Sequence, residues 1–305
     1  MINIGLIDVD GHNFPNLALM KLSAYHKSIG DNVEFCNPMF GEYDRIYMSK
    51  IFTYTQDNYD CYKCEIIKGG TGYKMYEDLP EYIEHIQPDY NLYNLDYAIG
   101  FLTRGCINKC PWCIVPKKEG LIRKNSDIDE FISDKKQAVL LDNNVLSHEW
   151  GLNQIEKCIK MGIKIDFNQG LDVRLIANDR YILNLLSRVK WIKYLRMACD
   201  TKYQIPYIQK AVVELSKLNI KPHRIFVYTL IKDFDDSLYR IREMKKLGVN
   251  PFAQPYLDYD KIDVKQWQKD MARWCNNKLI FKSCDFLDFK PRVGFKCSEY
   301  LMNHE

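Results

Sequence analysis

The feature that most constrains the fold is a regular alternation of apolar and amphipathic segments between residues 97 and 256. Strands alternating with helices form parallel sheets, so we predict an α/β fold with a partial (β/α)6 TIM-like barrel over 97–256. The predicted strands are YAIGFL (97–102), AVLLD (138–142), IKIDF (163–167), WIKYLRMAC (191–199), RIFVYTL (224–230) and PFAQPY (251–256). The predicted helices between them are IDEFISDK, LNQIEKCIKMG, DRYILNLLSRV, YIQKAVVELSKLN and SLYRIREMKKLG.

A shorter alternation precedes this region and predicts a separate Rossmann-like domain over residues 1–90. The polar segment 86–96 is interpreted as a linker into the second domain. Residues 257–305 contain one helical stretch and are too few for an independent domain of ordinary size, so we interpret them as a carboxyl-terminal helical extension. The elements predicted for the first domain are strands at 2–9, 32–36 and 45–48 and helices at 17–28 and 78–85.

The composition predicts a cytoplasmic protein with no membrane partner. No apolar run approaches the roughly 20 residues of a membrane span. The amino terminus is typical of a strand rather than a signal peptide, because Asp8 and Asp10 come early and no basic region precedes them. A net charge of +3 is too small to argue for a nucleic-acid partner and does not exclude one. In a reducing compartment, eleven cysteines, an odd number, do not indicate a disulfide framework.

Three of the cysteines lie together in the segment GCINKCPWCIVP, directly after the first predicted barrel strand. They are Cys106, Cys110 and Cys113. Tetrahedral zinc normally takes four nitrogen or sulfur ligands in two close pairs, and no histidine lies near this loop. Three thiolates on one loop instead suit three corners of a [4Fe–4S] cluster, which leaves the fourth iron open for catalysis. Zinc binding and a buried apolar turn remain the alternatives.

The spacing Cys106-x-x-x-Cys110-x-x-Cys113 after a barrel strand resembles the cluster loop of the radical S-adenosylmethionine (SAM) superfamily. The stretch TRGCINKCPWCIVPKKEG is similar to the cluster loops of methylthiotransferases and of superfamily members with an amino-terminal cobalamin-binding-type domain. The resemblance covers about residues 97–256 and, more loosely, the first ninety. It implies that the open iron chelates SAM and that one electron cleaves SAM to a 5′-deoxyadenosyl radical. That radical would abstract hydrogen from an unidentified substrate. The resemblance also implies a one-electron donor such as flavodoxin or ferredoxin.

The resemblance further implies that SAM lies across the carboxyl ends of the barrel strands, where barrel enzymes carry their active residues. For several of the polar residues found there, a purely structural role is the alternative. The Asp-Asn-Asn at 142–144 is also typical of a turn or helix cap. Arg174 would pair either with the SAM carboxylate or with Asp172 or Asp200, and Asp200 is also a candidate helix cap. The candidate cofactor-binding residues are Trp112, Asp142, Asn143, Asn168, Gln169, Asp172, Arg174, Asp200 and Tyr228.

The first domain contains a partial match to a cobalamin motif. Asp10-x-His12 resembles the DxHxxG pattern whose histidine ligates cobalt, but Pro15 stands where the pattern has glycine, so bound cobalamin is not favoured. His12 and the two aspartates would instead touch substrate. Outside the loop, Cys61 and Cys64 form a CxxC that we interpret as ordinary surface cysteines. An auxiliary cluster, at this CxxC or at the cysteines near the carboxyl terminus, is the alternative.

The leading hypothesis is therefore a radical SAM enzyme of unidentified substrate. Within the superfamily, RNA or small-molecule methylthiolation and cobalamin-type methylation are the alternatives. A non-catalytic iron–sulfur or zinc module is the alternative from a different class. The basic residues after the cluster loop would hold an anionic substrate or a reducing partner, or would form a solvated face; they are Lys117, Lys118, Arg123 and Lys124.

Overall fold

The computed structural model describes residues 1–11, 13–37, 39, 41–57, 62–257 and 264–303. The chain divides into two compact units, unit 1 at residues 1–165 and unit 2 at residues 166–305. The dividing point falls within the region predicted as the barrel, and the domain boundaries near 90–97 and at 256–257 remain predictions. Within the described residues, no helix has the length and apolar composition needed to cross a membrane.

Unit 1 begins with a four-stranded parallel sheet in the order β2–β1–β3–β4. Helix α1 starts at Leu17 because the side chain of Asn16 accepts a hydrogen bond from the backbone N–H of Leu19. The helix packs on β1, and a buried cluster that includes Ile4 and Leu22 forms the core between them. The elements are β1 (Asn3–Asp8), α1 (Leu17–Ser28), β2 (Asn32–Phe35), β3 (Arg45–Ser49), β4 (Glu65–Gly69) and α2 (Glu81–Glu84). This part is a parallel α/β sheet compatible with the predicted Rossmann-like domain.

The second part of unit 1 contains the first predicted barrel strands. Strands β5 and β8 pair in parallel, with Ala98 opposite Ala138, while the two-residue strands β6 and β7 form a short antiparallel pair. Gly162, at φ 72°, ends helix α5 in the left-handed conformation that glycine adopts without strain. The elements are β5 (Ala98–Gly100), β6 (Thr103–Arg104), α3 (Val115–Lys118), β7 (Arg123–Lys124), α4 (Asp129–Ile132), β8 (Gln137–Leu140) and α5 (Glu149–Met161). The next strand, β9 (Lys164–Phe167), includes the dividing point between the two units.

Unit 2 is built on a second four-stranded parallel sheet, in the order β10–β12–β13–β14. Residues alternate along β13 between buried and half-buried positions, so one face of the sheet is fully covered and the other carries half-buried side chains. The elements are β10 (Leu171–Asp172), α6 (Val173–Asn178), α7 (Arg180–Arg188), β11 (Lys190–Trp191), β12 (Leu195–Ala198), α8 (Ile205–Lys217), β13 (Ile225–Ile231), α9 (Phe234–Lys246), β14 (Asn250–Pro255), α10 (Gln266–Asn276) and α11 (Lys278–Ser283).

The α/β class and the parallel pairing are confirmed, and a strand overlaps each of the six segments predicted for the barrel. The segment predicted as one strand at 191–199 divides into β11 and β12. Among the described residues, hydrogen bonding places β5 and β8 in one sheet and β12, β13 and β14 in another. A single barrel sheet therefore stays a prediction.

Candidate functional site

The loop that carries the three cysteines is closed at its base by backbone contacts. Strand β6 before it pairs with strand β7 after it, and the N–H of Cys106 donates to the carbonyl oxygen of Gly120 at 3.2 Å. Gly105 has φ +81°, and a Cβ there would lie 2.3 Å from the carbonyl oxygen of Leu121. Glycine is therefore required where the two arms of the loop come together.

Glu119 holds the same base from its other side. Its carboxylate accepts hydrogen bonds from the backbone N–H of Gly105 at 2.9 Å and from the side chain of Asn143 at 2.8 Å. It also accepts from the guanidinium of Arg104 at 3.2 Å, and the Glu119 side chain is only 3% exposed. The buried carboxylate thus joins the start of the loop, its end and the segment after β8. Our sequence reasoning did not select Glu119, although it is the single acidic residue in an otherwise basic stretch.

The three thiols differ in exposure. Cys106 and Cys110 are half-buried and Cys113 is exposed, and none of them forms a disulfide. The sulfur of Cys106 accepts two hydrogen bonds at 3.4 Å, from the N–H of Asn108 and from the side-chain amide of Asn144. Within the described part of the chain, no three or more Cys, His, Asp or Glu side chains form a group that could hold a metal ion. The structure therefore anchors the loop without gathering its thiols around one point.

The segment after β8 meets the cysteine loop, as expected if both flank one site. Asn143 reaches Glu119, and Asn144 reaches Cys106. Asn144 is 3% exposed, and its side-chain oxygen has no hydrogen-bond partner among the described residues. A buried carbonyl oxygen without a donor is costly, which makes this atom a candidate acceptor for a ligand N–H. Trp112 lies on the same loop and is half-buried.

Asp142 has a structural role in this arrangement. One carboxylate oxygen accepts from the N–H of Leu102 at 3.1 Å, and the other accepts from the N–H and the hydroxyl of Thr103 at 2.5 and 2.7 Å. The side chain thereby ties the segment after β8 to the turn that leads into the cysteine loop. Burial raises the pKa of Asp142 to about 6 despite these hydrogen bonds, which act in the opposite direction.

This raised pKa predicts a pH-dependent cost for Asp142→Asn. Because the native pKa lies above the ordinary value of 3.8, the stability contributed by Asp142 is complete below that value and is lost as the pH rises toward 6. The advantage of the wild type over Asp142→Asn in unfolding free energy should therefore shrink by up to about 3 kcal/mol between pH 4 and pH 7. Denaturant unfolding at several pH values measures this, with Asp134→Asn at an exposed position as control. A wild-type advantage that grows with pH would show that the three hydrogen bonds outweigh burial.

In unit 2, the predicted residues after β9 form a tight turn. The N–H of Gly170 donates to the carbonyl oxygen of Phe167 at 3.0 Å, so Asn168 and Gln169 are the central turn residues, half-buried and exposed respectively. Gly170 has φ +80°, and a Cβ there would lie 2.9 Å from the ring of Tyr228. Glycine permits this close approach, so the sequence Asn168-Gln169-Gly170 is explained by the turn that it forms.

Asp172 and Arg174 pair with each other. Asp172 accepts from the backbone N–H of Arg174 at 3.0 Å and from its guanidinium at 2.9 and 2.6 Å. The aspartate therefore caps α6 and holds the arginine in a two-point ion pair. This is the salt bridge weighed above as the alternative to a SAM carboxylate contact.

A charged network that the sequence did not reveal lies between strands of unit 2. The guanidinium of Arg196 lies 2.6 and 2.8 Å from the two oxygens of Asp166 and donates to the hydroxyl of Tyr228 at 2.6 Å. Burial raises the pKa of Tyr228, although Arg196 acts in the opposite direction. Asp200 accepts from the N–H of Leu230 at 2.9 Å, and its own burial raises its pKa. Asp200 was also a candidate helix cap, but the N-cap of the short 3-10 helix Lys202–Gln204 is Thr201.

The candidate cofactor loop of the first sheet is engaged by the chain itself. Asp8 accepts from the hydroxyl of Tyr93 at 2.6 Å, and Asp10 accepts from the N–H of Ile51 at 2.5 Å and the hydroxyl of Thr55 at 2.6 Å. The glycine-rich turn at 69–73 packs on the strand end, since a Cβ at Gly70 would lie 2.4 Å from the carbonyl oxygen of Lys50. His12, which was expected to touch substrate rather than to ligate cobalt, and Cys61 lie outside the described residues. Cys64 is half-buried.

The cysteines near the carboxyl terminus are three single positions in the packing of unit 2. Cys275 and Cys297 are buried and Cys284 is half-buried. Burial raises the pKa of the Cys275 and Cys297 thiols to about 12, which keeps both protonated at neutral pH. In this state the two thiols pack as small apolar side chains, and an auxiliary cluster at these positions stays an alternative.

Comparisons with known proteins assign no family. No family model matches this chain, and no curated protein does. Among solved structures, a chain from an Asp-to-Ala mutant of the XylFII–LytSN complex aligns at 16% identity over 81% of this chain and 87% of that chain. Its TM-score of 0.17 is far below the level that indicates a shared fold. The site is therefore interpreted from its own residues.

Proposed function

We propose that this chain is a radical SAM enzyme that binds a [4Fe–4S] cluster through Cys106, Cys110 and Cys113. The observation that carries the proposal is the contact between Cys106 and Asn144 at 3.4 Å. It brings the three-thiol loop and the segment after β8 into one site in unit 1. In the full proposal, the six strands form one partial barrel whose strand ends hold SAM. The substrate is unidentified.

The residues of the loop fit a cluster in their chemistry. Iron–sulfur clusters are bound by thiolates and are tuned by hydrogen bonds to the sulfurs, and Cys106 already receives two N–H donors. The base of the loop is fixed through Gly105 and Glu119, while the loop itself carries half-buried and exposed thiols. Because the thiols are not gathered in this structure, cluster binding has to draw them together above the fixed base.

Side chains of the protein hold the cysteine loop in place and provide hydrogen-bonding groups at this site. Glu119 holds the arms of the loop together, and Asp142 fixes the turn that leads into it. Asn144 donates to the Cys106 sulfur and offers its buried carbonyl oxygen to a donor such as the amino group of SAM. When bound, the cluster and SAM supply the reductive cleavage that generates a hydrogen-abstracting radical. The protein binds and orients these groups and excludes water.

The proposal is tested by anaerobic reconstitution with iron and sulfide, reduction with dithionite and addition of SAM. We expect 5′-deoxyadenosine and methionine in chromatographic analysis, in amounts that depend on the reductant. A fully reconstituted, reduced protein that yields no 5′-deoxyadenosine would overturn the enzyme proposal. Stoichiometric zinc in the protein as isolated, with no cluster formed on reconstitution, would favour a zinc module instead.

A further inference from the structure

Basic side chains surround Tyr194, which lies directly before strand β12 in unit 2. The ammonium of Lys278, on helix α11, donates to the Tyr194 hydroxyl at 2.9 Å and lies 5.1 Å from the centre of the phenol ring. The ammonium of Lys193 lies 5.3 Å from the same ring centre. Two positive charges from segments distant in sequence therefore meet at one phenol.

Arg224 joins this group through the pairing of two strands. Leu195 of β12 lies opposite Ile225 of β13, so the residues directly before them, Tyr194 and Arg224, are neighbours as well. The guanidinium of Arg224 is close enough to act on the charge of the Tyr194 hydroxyl. We call this group the basic cluster; its members are Lys193, Tyr194, Arg224 and Lys278.

The positive charges of the basic cluster have no acidic partners in the described ranges of the chain. The three cationic side chains are exposed, and none of them forms an ion pair with a carboxylate of those ranges. The segments that carry them, 190–194, 221–224 and 278–282, contain six Lys or Arg and no Asp or Glu, although the whole chain has 43 basic and 40 acidic residues. Like charges that converge in this way repel one another, so a bound anion would stabilise the cluster.

Tyr194 adds a hydrogen-bond donor to these charges. Its oxygen accepts from Lys278, which leaves the phenolic hydrogen to be donated to a ligand. The hydrogen bond from Lys278 lowers the pKa of Tyr194, and the charges of Lys193 and Arg224 act in the same direction, although burial opposes them. The ring stacks on Phe226 with ring centres 5.6 Å apart, which holds the hydroxyl in place.

The donors of the basic cluster suit a phosphate chain better than a carboxylate. A carboxylate carries one negative charge, whereas a chain of two or three phosphates carries enough charge to balance three cations. A guanidinium binds two phosphate oxygens at once, and ammonium groups add point charges beside it.

We propose that the basic cluster binds the phosphate chain of a polyphosphate, either inorganic or part of a nucleotide. The phosphate oxygens accept hydrogen bonds from Lys193, Arg224 and Lys278 and from the hydroxyl of Tyr194. This site is independent of the proposed function, because it lies at the amino-terminal end of β12. The candidate cofactor residue of the same strand, Asp200, follows its carboxyl-terminal end.

The test measures the binding of sodium tripolyphosphate to the full chain by isothermal titration calorimetry. The double variant Lys193→Gln, Lys278→Gln removes two charges of the basic cluster. The matched control, Lys202→Gln with Lys210→Gln, removes the same number of exposed charges elsewhere in unit 2. Circular dichroism confirms that each variant is folded.

We expect the double variant to bind tripolyphosphate at least about tenfold more weakly than the wild type, and the control to bind it like the wild type. Wild-type binding should weaken as the salt concentration rises from about 0.05 to about 0.3 M. Equal binding by the double variant and the control would overturn the proposal, because the anion would then respond only to the net charge of the protein.

Tyr194 reports whether the anion binds at the cluster. A bound polyphosphate disfavours the negatively charged phenolate, so it should raise the pKa of Tyr194. Absorbance titrations of the wild type and of Tyr194→Phe, at matched ionic strength, isolate this phenol from the other tyrosines. Tripolyphosphate that binds without changing the pKa of Tyr194 would lie elsewhere on the protein and would contradict the proposal.

ATP and RNA as further probes identify the source of the phosphates. Equal affinity for ATP and tripolyphosphate would support recognition of the phosphate chain alone, and tighter binding of ATP would support a nucleotide ligand. Both results require that the double variant loses the binding. Single-stranded RNA that binds through the same lysines, with no binding of tripolyphosphate, would overturn the proposal in favour of a nucleic-acid surface.

Discussion

Replacing Glu119 with alanine is expected to lower the free energy of unfolding by about 3–5 kcal/mol, the usual result of removing one partner from a buried ion pair. The carboxylate is 3% exposed and accepts from the backbone of Gly105, the side chain of Asn143 and the guanidinium of Arg104. The N–H of Gly105 and the guanidinium of Arg104 are buried, so removal of the carboxylate leaves both partly unsatisfied. Denaturant unfolding measures the loss.

The same variant should also release the base of the cysteine loop. The N–H groups of Gly105 and Cys106 are both bonded across this base, so their amide hydrogens should exchange faster in Glu119→Ala than in the wild type. Glu119→Gln should show a smaller effect, because its amide oxygen still accepts from Gly105 while the charge facing Arg104 is lost. Glu77→Ala, at an exposed position, should leave both stability and exchange unchanged. Unchanged exchange at the loop base in Glu119→Ala would show that the backbone contacts alone close the loop.

The periodic elements were predictable from local sequence because burial imposes the pattern residue by residue. Helices α5, α8 and α9 each lie within one or a few residues of the amphipathic stretches read from the sequence. Strand β4 and helix α6 were missed. Helix α6 begins at Val173, directly after its N-cap Asp172 in the sequence NQGLDVR, where the polar residues were interpreted as ligand contacts instead of a turn followed by a helix cap.

The site was predictable only in part, because its key contacts join residues distant in sequence. The crowded cysteines and the polar residues after the second strand are visible locally. The pairings of Asn144 with Cys106 and of Arg196 with Asp166 span 38 and 30 residues. Such pairings depend on which strands become neighbours, which local patterns do not specify. The role of Asp142 was hidden for the same reason, because its donors in Leu102 and Thr103 lie 40 and 39 residues earlier. The pair between Asp172 and Arg174 is local and was one of the alternatives weighed above, but an aspartate that binds its own chain has the same local sequence as one that binds a ligand.

Substitution of the loop cysteines by alanine is expected to abolish iron binding without unfolding the protein. The wild type, reconstituted without oxygen, should bind about four iron atoms per chain and absorb in the visible range, as a cluster held by three thiolates does. Cys110→Ala and Cys113→Ala should each lose nearly all of this iron, because two thiolates on a loop do not retain a cluster. Cys113 is exposed, so its substitution should change the unfolding free energy by no more than about 0.5 kcal/mol.

The matched controls are Cys64→Ala in unit 1 and Cys284→Ala in unit 2, both at half-buried positions outside the loop. Each should retain the iron and the visible absorption of the wild type. If Cys110→Ala and Cys113→Ala still bind iron but Cys64→Ala does not, the cluster is bound near Cys64 in the first sheet and not at the cysteine loop. Iron that survives in every single variant would indicate nonspecific binding to thiols, because a cluster held by three ligands on one anchored loop has no substitute for any of them.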